Sequence, residues 1–292
     1  MTEKWASIEE AVAYAGEDRV VHFTDYLLAK AGTASRSQNF KSGFQSFDAK
    51  TGGIETGEVV VVTGYTKNGK TLFAESWIKR MMDRDPSAKA ALFSFEIQPE
   101  KMLAKYVAND QAPLYLPLQL QTMDFEWLRK KCAEAKYKHN CRIVLIDHLH
   151  FLVDMATKQN MSLNIGAFMR NLKKEIAMDL NLAVILIAHQ GQAKEGKDAS
   201  LEGIRDSSFV AQESDATIVV SRQKNFSNVE LKEYAAKLGE EAVSVLTPPM
   251  MSDLDDQFSS GLAIVKIEVH RRTGVYRWKK LFQKRGDFLE EV

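Results

Sequence analysis

The chain has 292 residues, with 39 Lys and Arg set against 39 Asp and Glu, and 45% of its residues are hydrophobic. Zero net charge excludes a whole-molecule attraction to nucleic acid, so any such contact must come from a local basic surface. The two cysteines, Cys132 and Cys141, lack metal-ligand spacing and argue against a disulfide framework, and no apolar run approaches the length of a membrane span. An N-terminus reading Met-Thr-Glu-Lys-Trp is not a signal peptide, so the expected setting is the cytoplasm, that of an infected cell included.

In chain order, Ile8 to Ala15 and Val20 to Ala29 have the spacing of two short amphipathic helices, and a polar link runs from Gly32 to Asn39. Residues 1–40 carry too few apolar side chains for a core of their own. They are expected to form an arm that packs either on its own domain or on a neighbouring subunit. The main domain, residues 41–292, opens near Gly43. Val59-Val60-Val61-Val62 is expected as a buried strand, followed by Gly64-x-x-x-x-Gly69-Lys70-Thr71 and by helical spacing from Leu72 to Met82. Further strands are expected at Ala90 to Phe95, Arg142 to Ile146, Ala183 to Ala188, Thr217 to Ser221 and Ala263 to Val269, with Val275 to Gln283 as a late pairing partner. Helices are expected at Pro99 to Asn109, Phe125 to His139 and Leu163 to Leu180. Gly191 to Gly203 is polar and expected to be a mobile loop, and residues 225–261, with Pro248-Pro249 and an acidic run, a surface insertion. Alternating strands and helices with near-continuous apolar strands predict an α/β fold: a mostly parallel sheet covered by helices on both faces, with ligands at the carboxyl ends of its strands.

The strand–loop–helix from Val59 to Met82 is a complete P-loop. Gly64 and Gly69 let the backbone bend until the N–H groups of Lys67, Asn68 and their neighbours converge on phosphate, and a helix N-terminus adds donors and partial positive charge. Lys70 can reach the β- and γ-phosphates, and the Thr71 hydroxyl can ligand Mg²⁺. The apolar run Ile143-Val144-Leu145-Ile146 ends in Asp147, about 75 residues further on, as a strand delivering a carboxylate to that metal would. His148 stands where many nucleotide hydrolases have a water-activating Glu, so the base must come from elsewhere. Glu96 ends the strand Ala90 to Phe95. If that strand neighbours the P-loop strand, Glu96 projects into the same cleft and can take a proton from water. His189, at the tip of the strand Ala183 to Ala188, reads either as a γ-phosphate sensor or as a structural histidine. The segment His270 to Arg285 holds seven Lys and Arg and no acid. It reads either as an edge hairpin guarded by charge or as the source of an arginine that stabilises transition-state charge, a neighbouring subunit's site included.

With these motifs placed, the chain resembles the RecA-like ATPase domain of hexameric replicative DNA helicases of the DnaB type, including the helicase halves of phage primase–helicases. The resemblance covers about residues 40–285 and rests on Gly64 to Thr71, Leu92-Phe93-Ser94-Phe95-Glu96, Ile143 to His148, Val184 to His189, Ile204 to Ser208 with Gln212 to Ala216, and His270-Arg271-Arg272-Thr273-Gly274. It implies Glu96 as catalytic glutamate, His189 as γ-phosphate sensor, Arg272 as an arginine finger acting in trans, and Arg222 near the nucleotide. It also implies that the loops after Asp147 and after His189 face DNA, with Lys158, Lys194, Lys197 and Arg205 as backbone-phosphate contacts. The family often has Lys where this chain has His270, and Arg271 could stand in for that Lys or be the finger itself. The implied activity is ATP- and Mg²⁺-dependent translocation on single-stranded DNA with unwinding of a fork, by a homo-oligomeric ring, expected to be a hexamer, working beside a primase and a DNA polymerase. A RecA-like recombinase or mediator, and an ATP-regulated helicase loader, share the same nucleotide residues and are the alternatives.

Overall fold

The computed structural model describes residues 8–13, 15, 19–25, 37–96, 112–122, 124–149, 152–153, 161–189, 208–222 and 262–292. The chain divides into two compact units, Met1–Arg36 and Ser37–Val292. In the first, a helix α1 spans Ile8–Ala13 and a helical turn covers 23–25. The rest of the expected helix Val20 to Ala29 lies outside the described residues.

The second unit is built on a nine-stranded sheet, with a separate antiparallel pair, β1 (Asn39–Phe40) and β2 (Ile54–Glu55), beside it. The large sheet comprises β3 (Val59–Gly64), β4 (Ala90–Ser94), β5 (Leu114–Tyr115), β6 (Ile143–Asp147), β7 (Ala183–His189), β8 (Ala216–Arg222), β9 (Leu262–His270), β10 (Val275–Arg285) and β11 (Phe288–Glu291). Their order across the sheet is β11-β10-β9-β8-β3-β7-β6-β4-β5. Pairing is parallel from β5 through β8 and antiparallel from β8 to β11. The sheet therefore joins a βα-type half, whose crossovers put helices on both faces, to a meander of hairpins.

The valine run shows why the sheet is buried on both sides. Val60 and Val62 pack into one core, Val59 and Val61 into the other, and none of the four is more than 2% exposed. At about 1.5–3 kcal/mol for each fully buried side chain, that register cannot slip by one residue without exchanging the contents of two cores. The first core lies under α2 (Gln45–Thr51) and α3 (Lys70–Arg84), where Phe44, Phe47, Phe73, Trp77 and Phe282 form a chain of ring contacts. Glu291, in the last strand, accepts hydrogen bonds from the backbone N–H groups of Ser46 and Phe47, both at 3.0 Å, and so caps α2, whose own N-cap residue Phe44 offers no acceptor. The second core lies under α4 (Phe125–His139) and α5 (Met161–Asn171), with α6 (Ser208–Glu213) contributing Val210. Asp124 caps α4 by accepting from Trp127 N at 2.8 Å, and Asn140 ends it in the left-handed conformation.

Three features differ from the sequence expectation. The helix expected at Leu163 to Leu180 is α-helical only to Asn171 and continues as a π-helical stretch, Leu172–Met178. The wider turn keeps Leu172, Ile176 and Ala177 in the core while Lys173 reaches the start of β3. Strands β5 and β11 are short edge elements without a distinctive pattern. Lastly, β4 does not neighbour the P-loop strand: β7 and β6 lie between them. The expected helix Pro99 to Asn109, the loop Gly191 to Gly203 and the insertion 225–261 lie outside the described residues.

Candidate functional site: a nucleotide cleft at the carboxyl edge of the sheet

β3 ends at Gly64, whose φ is +147° and where an added Cβ would lie 2.2 Å from the Val220 carbonyl oxygen. No other residue fits that approach of β3 to β8. The loop then turns through Lys67 and Gly69, at φ +66° and +86°, into α3. No side chain caps α3, and its first turn carries no acid. Its leading amides, with the positive end of the helix dipole, are left for an anion. Asn68 is buried in the loop.

Lys70 is 3% exposed, and its ammonium donates to the Tyr65 carbonyl at 2.8 Å. Burial lowers its pKa to about 8, against the opposing pull of Glu96 and Asp147. Thr71 donates to Asp147 Oδ2 at 3.0 Å, so the P-loop hydroxyl and the β6 carboxylate meet as the sequence predicts. Asp147 is fully buried, and burial raises its pKa to about 7; the Thr71 hydrogen bond opposes the rise, and Glu96 and Glu75 add to it. Its Oδ1 has no hydrogen-bond partner among the described residues. An orphaned carboxylate oxygen beside a hydroxyl is a hard-oxygen donor set of the kind Mg²⁺ takes, so the residues fit that ion.

Glu96 reaches this cleft although its strand is not beside β3. β6 and β7 bring His148 and His189 to it. Glu96 Oε2 lies 3.2 Å from His148 Nδ1 and 3.1 Å from His189 Nε2, and the two imidazoles meet edge to face at 4.1 Å between centroids. Burial lowers the His189 pKa, Lys70 lowers it further, and the Glu96 contact opposes both. A neutral His189 beside a carboxylate can exchange a hydrogen bond with an incoming phosphate oxygen or water. Arg222 ends β8 at the same edge, two positions beyond the carbonyl that meets Gly64.

Arg272 is elsewhere. The register Val60↔Ala216 and Ala216↔His270 puts the turn 271–274 at the amino-terminal edge of the sheet. There the Arg272 guanidinium donates from Nε to Glu58 Oε1 at 2.6 Å and from one Nη to the carbonyls of Thr51 and Gly53 at 3.1 and 2.8 Å. Its other Nη pairs with Glu55 at 3.1 Å. Arg271, which is exposed, donates to the Gln212 carbonyl. Glu58 and Gly64 are the two ends of one strand, about 20 Å of extended chain apart, so Arg272 does not reach the cleft of its own subunit. Lys158, Lys194, Lys197 and Arg205 lie outside the described residues.

Sequence reasoning passes over four participants. His148 enters it only as a missing Glu. Glu75, inside the apolar face of α3 and 1% exposed, carries the available signal: an acid amid Phe73, Ala74, Ser76 and Trp77. Glu55 and Glu58, which hold Arg272, give no periodic signal.

Together, fold and cleft define a P-loop nucleotide-binding domain of the RecA-like type. The chain belongs to the DnaB-like helicase C-terminal domain family, whose sequence model matches residues 39–114 and 109–246. The replicative DNA helicase DnaB of Rhodothermus marinus is 25% identical over 228 residues, covering 64% of this chain and 24% of that protein. The DnaB of Rickettsia prowazekii is 21% identical over 225 residues, covering 63% and 46%, and that of Haemophilus influenzae 20% over 255, covering 73% and 54%. The chain thus spans about half or less of these relatives. Two solved structures share the fold. One, an isolated ATPase domain, superposes at a TM-score of 0.64 with 19% identity, covering 98% of this chain and 99% of that one. The other, a DnaB-like replicative helicase described with its interactions with primase, superposes at 0.65 with 20% identity, covering 98% and 71%. Among the described residues no helix is long and apolar enough to cross a membrane.

Proposed function

We propose that this chain is the ATP-hydrolysing motor of a replicative DNA helicase, working in the cytoplasm as a homo-oligomeric ring, a hexamer by family, that translocates on single-stranded DNA and opens a fork. The observation that carries the reading is the split between two edges of one sheet. Lys70, Thr71, Asp147, Glu96 and His189 converge at one edge, while Arg272 sits at the other, beyond reach of its own cleft. An arginine so placed can serve catalysis only at a neighbour's nucleotide, which makes assembly part of the chemistry.

In the proposed reaction the α3 N-terminus and Lys70 hold the β- and γ-phosphates of ATP. Mg²⁺ bound by Thr71 and Asp147 would supply charge neutralisation between those phosphates. Glu96 orients a water and accepts its proton as the oxygen bonds to the γ-phosphorus and the bond to the ADP oxygen breaks. His189, hydrogen-bonded to Glu96, holds that carboxylate and contacts the γ-phosphate, so its position changes when phosphate leaves. Arg222 sits near the bound nucleotide. Arg272 of the adjacent subunit, with Arg271 as the other candidate, would stabilise the developing charge. Lys158, Lys194, Lys197 and Arg205 are proposed to grip DNA phosphates, and residues 1–40 to act as a subunit-linking arm. Primase and DNA polymerase are the expected partners at the fork.

The test is strand displacement from a forked duplex, run with each tail polarity. The reading expects ATP- and Mg²⁺-dependent unwinding and hydrolysis stimulated by single-stranded DNA. Hydrolysis with no unwinding, even with replication partners added, would leave an ATP-regulated loader instead.

A further inference from the structure

We propose that Glu96, His148 and His189 form a transition-metal site of the Zn²⁺ class, separate from the Mg²⁺ position at Thr71 and Asp147, and that its occupation stops turnover. The three ligands come from the ends of three adjacent strands, β4, β6 and β7, and offer one atom each within 4.8 Å of one another. Zn²⁺ binds imidazole nitrogen at about 2.0–2.1 Å and carboxylate oxygen at about 2.0–2.2 Å, so tetrahedral ligands stand roughly 3.4 Å apart. The two carboxylate–imidazole separations, 3.2 and 3.1 Å, are already within a few tenths of an ångström of that value.

The donor types decide the metal. Two nitrogens and one oxygen suit Zn²⁺, Co²⁺ or Ni²⁺, whereas Mg²⁺ takes oxygen ligands and keeps its waters. Three protein ligands leave one position open toward the cleft, as in sites that exchange water or substrate rather than structural ones. The fully buried Asp147 and the carboxylate of Glu96 supply negative charge nearby, and the Lys70 ammonium opposes it. Glu96 with its carboxylate on a metal cannot accept a proton from water, and His189 with Nε2 on that metal cannot meet a phosphate. This consequence for turnover rests on the ATPase reading; the binding itself does not.

The experiment titrates the full chain, without nucleotide, with ZnCl₂ by calorimetry and with CoCl₂ by visible absorption. The prediction is one equivalent bound in both, Co²⁺ bands of a site with nitrogen ligands, no displacement by millimolar Mg²⁺, and affinity weakened more than about tenfold in either His148→Asn or His189→Asn. Thermal melts with and without Zn²⁺ keep the test sound should a variant be destabilised: wild type should melt higher with the metal, and both variants should not. Absence of a one-to-one site, or a site that survives both substitutions, would overturn the proposal. In a further arm, Zn²⁺ equimolar with subunits should remove most ATP hydrolysis at saturating Mg²⁺, and unchanged turnover with the site filled would overturn the off-switch. A chain that binds Zn²⁺ as described yet never hydrolyses ATP would instead fail the ATPase reading alone.

Discussion

The two edges of the central sheet are held in opposite ways. At the amino-terminal edge the charges are answered. Arg272 meets two carboxylates and two carbonyls, and Lys173 donates to Gly57 O at 2.7 Å and to both oxygens of Asp215 at 2.8 and 2.6 Å. Asp215 in turn accepts from Val59 N at 2.7 Å and so fixes where β3 begins. At the carboxyl edge the groups are buried and incompletely answered: a carboxylate with one orphaned oxygen, a lysine pushed down to about 8, an aspartate pushed up to about 7, and an uncapped helix N-terminus. The first edge stabilises the fold; the second gives up stability so that a ligand can complete it.

Substitutions should separate the two edges, and the largest effect belongs to the cleft. Glu96→Gln keeps size and polarity but cannot take a proton. ATP hydrolysis should fall by about 100- to 10,000-fold while nucleotide binding persists; wild-type turnover in that variant would remove Glu96 as the base. Asp147→Asn should raise the stability of the nucleotide-free protein above neutral pH while abolishing Mg²⁺-dependent ATP binding. The sign follows from linkage. The folded state holds the Asp147 proton up to about 7 and the unfolded state only to about 3.8, so the native protein binds more protons across that window and stability falls as pH rises through it. Melting temperatures of wild type should show that decline and those of Asp147→Asn should lack it. A wild type gaining stability over the same range relative to the variant would reverse the assignment.

The amino-terminal edge should respond in stability. Arg272→Ala strands Glu58 and Glu55 without their cation and should cost about 1–3 kcal/mol by denaturant unfolding. It should also remove DNA-stimulated hydrolysis with nucleotide binding nearly intact. An unchanged unfolding midpoint would mean the four contacts add nothing. Lys173→Met should give the smallest change, about 1–2 kcal/mol, because both members of the Lys173–Asp215 pair are partly exposed, with hydrolysis per folded molecule unaffected. Loss of activity there would break the division between the edges.

Much of the cleft is legible in the sequence because its chemistry is local. The P-loop needs its glycines, Lys70 and Thr71 within eight positions, and a buried strand ending in an acid announces Asp147. The helix over Phe125 to His139 is likewise readable from its cap and its period. Strand order is not, because it depends on which apolar strands pair across the whole chain, and the valine run looks the same whether β4 or β7 lies beside it. For that reason the sequence leads to Glu96 through an adjacency that does not exist: the residue reaches the cleft through His148 and His189. Arg272 is legible as a basic residue in a turn, but its clamp is not, since Glu55 and Glu58 lie more than 200 positions away in sequence and meet it only once β8 and β9 pair.

The central claim is that the arginine at one edge completes the cleft at the opposite edge of the next subunit. Mixing two inactive variants tests it most directly. Lys70→Ala lacks a working cleft but carries Arg272, and Arg272→Ala keeps the cleft but lacks the arginine. Combined with ATP, Mg²⁺ and single-stranded DNA, they should hydrolyse ATP well above the sum of the two alone. A mixture no more active than its parts, with co-assembly demonstrated, would contradict the account.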